Sequence, residues 1–139
     1  MVQPNEREET MIKIFSILTA FVVLSGLAFA DPRGTWRSEE GQTGGYVIVT
    51  IAACASDASK YCGIIKNVVG NDNTSIIGKT IIKNMEDRGN GNYAGGQIWA
   101  PDEDKWYRSK MKLNSNGTLR VSGCVLGGAI CRGQTWRPA

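Results

Sequence analysis

From residue 31 onward, apolar and polar positions change over short intervals. Turn residues, Gly above all, break the chain into runs rich in Val, Ile, Thr, Tyr and Trp. No stretch sustains a helical period with caps, so the pattern is that of an all-β protein. Eight strands are predicted, at 35–39, 46–54, 62–69, 79–85, 93–100, 105–113, 118–124 and 133–136. The second, YVIVTIAAC, is apolar on both faces and is expected to be central. The sixth alternates: Trp106, Arg108, Lys110 and Lys112 on one side, Tyr107, Ser109, Met111 and Leu113 on the other. The first set is expected outside and the second inside, although a slip of one residue would exchange them. Residues 70–75 read as a loop, residues 86–92 (EDRGNGN) as a turn, and Asn116-Gly117 as a hairpin turn.

Eight antiparallel strands in about 109 residues must protect their edges, and closing the sheet removes them. The expected fold is an eight-stranded antiparallel β-barrel, with a flattened barrel or sandwich as the alternative. Such a barrel is filled by side chains or holds one small ligand. Gly95-Gly96, inside a strand, suits a barrel corner. Ile48, Ile64, Ile98, Met111 and Val121 are the expected interior positions.

The N-terminal region reads differently. Residues 14–30, IFSILTAFVVLSGLAFA, carry no charge, follow Lys13 and end in Ala28-Phe29-Ala30. A basic start, an apolar centre and small residues at −3 and −1 predict a signal peptide cleaved after Ala30. As a membrane span the run is at the short limit. Residues 1–10 hold three Glu against one Arg, which is wrong for a signal peptide's start, so Met11 is the expected initiator. No Cys lies near the cleavage point to carry a lipid anchor. The expected layout is an N-terminal segment 1–30 with the signal peptide and one β-barrel domain at 31–139.

Composition narrows the chemistry. Without Glu6, Glu8, Glu9, Arg7 and Lys13, the domain keeps 14 basic and 10 acidic residues, a mild net charge of +4 with the signs interspersed. That pattern gives no basic stripe for nucleic acid. The chain has no His, which removes Ser-His-Asp and Cys-His mechanisms, the usual zinc ligands and a histidine pH switch. Its four Cys, all beyond residue 30, read as disulfides in an exported small domain. Of three connectivities, Cys54–Cys62 and Cys124–Cys131 are chosen, because each pair brackets a short segment able to form a hairpin end. Loops this short predict about 2.5 kcal/mol each from chain entropy. Neither spacing resembles a structural zinc site, and no C-x-x-C redox motif occurs. No cofactor and no metal are expected.

Four motifs in order carry a resemblance across nearly the whole domain: GTWR at its start, VTIAACASDASKYCGII, NYAGGQIWAP followed by DKWYRSKMKL, and VSGCVLGGAICRGQTWRP at its end. Together they resemble the bacterial secreted family known as domain of unknown function 2147. The resemblance implies a lipocalin- or calycin-like barrel and export; it implies no activity. Ala100 stands where that family usually has Asp, Asp104 where a turn Gly is common, and the 54–62 loop is longer than usual. Lipocalins carry a Gly-x-Trp on the first strand and an Arg packed across that Trp near the C-terminus. Gly34 and Trp36 fit the former, and Arg137 or Arg132 the latter, so Gly34, Trp36 and Arg137 are expected to close one barrel end.

Trp99, Trp106, Tyr107 and Met111 are the candidate ligand contacts, the first three around the turn at residues 101–104 and Met111 on the expected inner face of the sixth strand. The acidic triplet Asp102-Glu103-Asp104 reads as a solvated turn, since Lys105 and Arg108 offset its charge and no EF-hand spacing exists. No nucleophile–base pair or opposed carboxylate pair can be assembled. The expected protein is therefore periplasmic or secreted, non-catalytic, and a binder of a small apolar or amphipathic ligand. A protein-binding module, such as an inhibitor of an envelope hydrolase, is the alternative. No nucleic-acid partner and no stable membrane span after cleavage are expected. A hollow of about 300 Å³ or more inside the barrel would favour the ligand.

Overall fold

Chain alternation is realised as eight strands because each short β-branched run has one face to bury and a turn residue to end it. The computed structural model describes residues 31–139; the expected signal peptide and the expected start at Met11 lie outside the described residues. The strands are β1 (Gly34–Arg37), β2 (Tyr46–Ala53), β3 (Tyr61–Val69), β4 (Thr80–Gly89), β5 (Asn92–Ala100), β6 (Lys105–Leu113), β7 (Leu119–Val125) and β8 (Ile130–Pro138). A short 3₁₀ turn, Thr74–Ile76, precedes β4. Every strand pairs antiparallel with the next, and β8 returns to β1, which gives a closed barrel.

The closure between β1 and β8 is brief, with Trp36 opposite Pro138 and Arg37 opposite Arg137. Beyond Arg37 the chain leaves the ladder. The Thr135 N–H then donates to the Glu39 carboxylate at 2.8 Å, a side chain standing in for the missing strand. At the opposite side, the sheet turns a corner at Gly95-Gly96, where the β5–β6 register shifts. Gly95 has φ +79°, and a Cβ on Gly96 would run into the Lys83 carbonyl. The corner therefore needs glycine, as the sequence suggested.

Both Cys pairs are disulfides. Cys54–Cys62 spans the β2–β3 connection, and Cys124–Cys131 ties opposed residues of β7 and β8. The core packs Trp36, Val49, Ile51, Ile65, Ile82, Met85, Tyr93, Met111, Leu119, Val121 and Trp136. Two expected interior residues are corrected. Ile64 is 37% exposed and sits opposite Thr50 on the outer face, and Ile48 pairs with Arg37 and Asn67 on that face. The interior is filled instead by Val47, Val49, Ile51, Gly63 and Ile65. Strand β2 is apolar on both sides and carries a bulge between Ile48 and Val49, so alternation alone could not set its phase. Ile98, Met111 and Val121 do face inward.

Two strands are also longer than expected. β4 continues through Glu86 to Gly89, because the tight turn is only Asn90-Gly91. β8 starts at Ile130 and runs to Pro138, far longer than 133–136.

Candidate functional site

The interior is packed at one end and hollow at the other. The hollow, about 970 Å³, opens among the β1–β2, β3–β4, β5–β6 and β7–β8 connections. Its wall is built by strand parity. β7 and β8 pair without a slip from Leu119–Trp136 to Val125–Ile130, so one face carries Leu119, Val121, Gly123 and Val125 opposite Trp136, Gln134, Arg132 and Ile130. From Val121 to Val125 on β7 and from Ile130 to Trp136 on β8, this face lines the hollow. Cys124, Cys131, Gly133 and Thr135 point away. Ile98 and Tyr107 pair beside Gly123 and extend this wall, and Val47 and Val68 line another side.

Strand β8 therefore presents Ile130, Arg132, Gln134 and Trp136 down the wall, at about 7 Å per step along the strand. Trp136 is fully buried at the bottom; its indole N–H donates to Gln134 Oε1 at 3.1 Å. That bond leaves the Gln134 amide group free to donate into the hollow. Arg132 is exposed within it and takes part in none of the ion pairs among the described residues, which are Asp31–Arg33, Arg37–Glu40 and Glu86–Arg88. Gly123, its register partner, has no side chain of its own, and Ile98 and Tyr107 pack over it.

The rim is polar and held by short-range bonds. Ser38 Oγ accepts from the Val47 N–H at 3.0 Å and donates to the Glu39 carbonyl at 3.2 Å. The Tyr107 hydroxyl donates to the Glu103 carboxylate, and this bond raises the Tyr107 phenol above its ordinary range. Next to Arg132, the β7–β8 connection leaves Leu126 75% and Ile130 58% exposed. It is held by Cys124–Cys131 and by Arg108 Nη1, which donates to the Gly127 carbonyl at 3.1 Å.

The candidate residues named from sequence fall in three places. Trp99 and Tyr107 both border the hollow. Tyr107 does so from the inner face, whereas Trp99 is buried with its indole N–H on Asp104 Oδ1 at 3.0 Å. Trp106 pairs with Trp99 on the outer face, is 38% exposed and carries the Lys83 ammonium 3.9 Å from its ring centre. Met111 is buried in the packed half, opposite Tyr93 and Val121. Trp36 is also in the packed core, with its indole N–H on the Pro32 carbonyl at 2.8 Å. Gly34 starts β1 opposite Ile51, and Arg137 is exposed opposite Arg37.

Sequence reasoning missed Arg132, Gln134 and Trp136 as one wall. The signal was present: with Cys131 tied outward to Cys124, parity turns 132, 134 and 136 inward together.

Among the described residues, no group of three or more His, Cys, Asp or Glu could hold a metal ion, and no helix is long and apolar enough to cross a membrane. A solved structure with the same fold is described as "Protein HP1028 from the human pathogen Helicobacter pylori belongs to the lipocalin family". It is 17% identical, with a TM-score of 0.64 over 80% of this chain and 84% of that one. At that identity the likeness concerns the fold. No curated protein matches the chain. The family model described as "Uncharacterized protein conserved in bacteria (DUF2147)" matches residues 34–137, nearly all of the barrel, and the chain belongs to that family.

Proposed function

We propose that this is an exported, non-catalytic barrel that holds one small apolar or amphipathic molecule in the open half of its interior. The observation that carries the reading is the hollow of about 970 Å³ above a packed floor. Its size suits a small-molecule site, and its wall is apolar with a few convergent polar groups. Val47, Val68, Ile98, Val121 and Trp136 supply the apolar part, Tyr107, Arg132 and Gln134 the polar groups of the wall, and the loops add a polar rim that includes Glu39, Asp102 and Glu103. The absence of catalysis is argued from chemistry. The chain has no His, and the wall hydroxyl of Ser38 is engaged by backbone on both sides rather than by a base. Export is argued from the apolar run at 14–30 with its Ala28-Phe29-Ala30 end, and from two disulfides, which persist in oxidising compartments.

The test is titration of the purified protein with the neutral dye N-phenylnaphthylamine. Saturable, one-to-one fluorescence enhancement is expected; no enhancement would overturn the reading. Intact mass of the exported protein is expected to match a chain that starts at Asp31. A mass that includes residues 14–30 would overturn the cleavage.

The apolar β7–β8 connection supports a second reading, in which Leu126 and Ile130 meet an envelope protein. It predicts that Leu126→Asp removes a partner contact while dye binding stays unchanged.

A further inference from the structure

We propose that Arg132 is the head-group site of the hollow, where it receives the carboxylate of an amphipathic carboxylic acid whose apolar tail lies against Val121, Ile98 and Trp136. The inference rests on the small-molecule reading above and names the class of ligand. Its first support is position. The gap-free β7–β8 register turns Arg132 inward, between Ile130 at the rim and Gln134 below. Its second support is the unspent charge. Among the described residues, no carboxylate lies within ion-pair distance of this guanidinium and no hydrogen bond engages it. Arg108, in contrast, is spent on the Gly127 carbonyl, and Arg37 on Glu40 and the Tyr46 ring.

The surroundings are those of a receiving site. Across the ladder is Gly123, over which Ile98 and Tyr107 pack, so the guanidinium has an apolar neighbour there. The Gln134 amide group, its oxygen already accepting from Trp136, is left as a second donor one step deeper. A carboxylate matches the planar fork of Arg in a two-bond geometry that a hydroxyl does not reproduce. Below these donors the wall turns apolar, which sets the order of the ligand: head at Arg132, tail towards Trp136.

Of the three acids that line the hollow, Glu39, Asp102 and Glu103, two are already engaged. Glu39 accepts from the Thr135 N–H, and Glu103 from the Tyr107 hydroxyl. The acids do limit the charge of the ligand. Three carboxylates line the hollow against one guanidinium, so a monoanion adds less repulsion there than a doubly charged phosphate.

The test compares decanoate with decanol, two probes that differ in the head group, by isothermal titration of the purified protein. Decanoate is expected to bind at least about tenfold more tightly. Arg132→Gln should remove that preference and leave the decanol affinity unchanged, and Arg132→Lys should restore part of it. Because the side chain makes no bond among the described residues, neither variant is expected to unfold, and a matching thermal melt checks this. Equal binding of the two probes, or a preference that survives in Arg132→Gln, overturns the head-group site and leaves the small-molecule reading standing. No binding of either probe overturns both.

Discussion

Two tyrosines illustrate how one side-chain type acquires different properties from its neighbours. Tyr107 stands at the rim with its hydroxyl on Glu103, whereas Tyr93 is fully packed, edge-on to Tyr61 with ring centres 5.5 Å apart. Burial pushes the Tyr93 phenol up to about 12, and the nearby Asp87 carboxylate adds to the shift. The folded protein therefore holds this proton more tightly than the unfolded chain, whose tyrosine titrates near ~10. The resulting stability is fully present below about pH 10 and is lost as pH rises towards about 12. The loss is about 2–3 kcal/mol over that window. Urea denaturation at a series of pH values from 9 upward should show the decline, and Tyr93→Phe should flatten most of it. A decline of equal size in Tyr93→Phe would assign it to other groups. Tyr107 shifts in the same direction through Glu103, so a Tyr107→Phe background isolates the buried residue.

At the scale of elements, the two disulfides do similar work on the unfolded chain but sit at opposite ends of the barrel. Cys54–Cys62 closes the β2–β3 connection on the packed side, and Cys124–Cys131 pins the β7–β8 hairpin directly beside Arg132. Replacing either pair by Ala should cost about 2.5 kcal/mol, read as a lower urea midpoint with an equal or slightly steeper slope, since the unfolded chain loses a constraint. Probe affinity should fall only for the Cys124–Cys131 variant, because only that bridge holds a strand of the cavity wall. Equal effects on affinity would show that the wall does not depend on this hairpin. The same hairpin marks how far the sequence could be read. Both pairings and the eight strands were legible, because turn residues separate the runs and each Cys pair brackets a turn. The strict alternation of β6 was legible too, but not which of its faces points inward. The phase of β2 was hidden by apolar residues on both faces. β8 was cut short because Ile130 and Arg132 look like loop residues beside three nearby glycines. The pairing of β8 with β7 lies outside any local pattern, and that pairing makes Arg132 a wall residue.

Taken whole, the barrel is two rooms in one sheet. The packed room holds Trp36, Met85, Tyr93, Met111 and Leu119, and the open room lies above Trp136. A core at normal density penalises any lost methylene, while a hollow tolerates added bulk. The two rooms should therefore respond in opposite ways to substitution. Met111→Ala, in the packed room, should cost about 2–5 kcal/mol of stability and leave probe affinity nearly unchanged. Val47→Trp, in the open room, places an indole in space that no side chain fills. It should leave stability within about 1.5 kcal/mol of the parent and lower dye and decanoate affinity by at least about tenfold. Denaturation midpoints and titrations on the same two variants check both halves of the claim. Unchanged affinity in Val47→Trp would mean that the probes bind elsewhere, and a large loss of stability there would mean that the room is not empty.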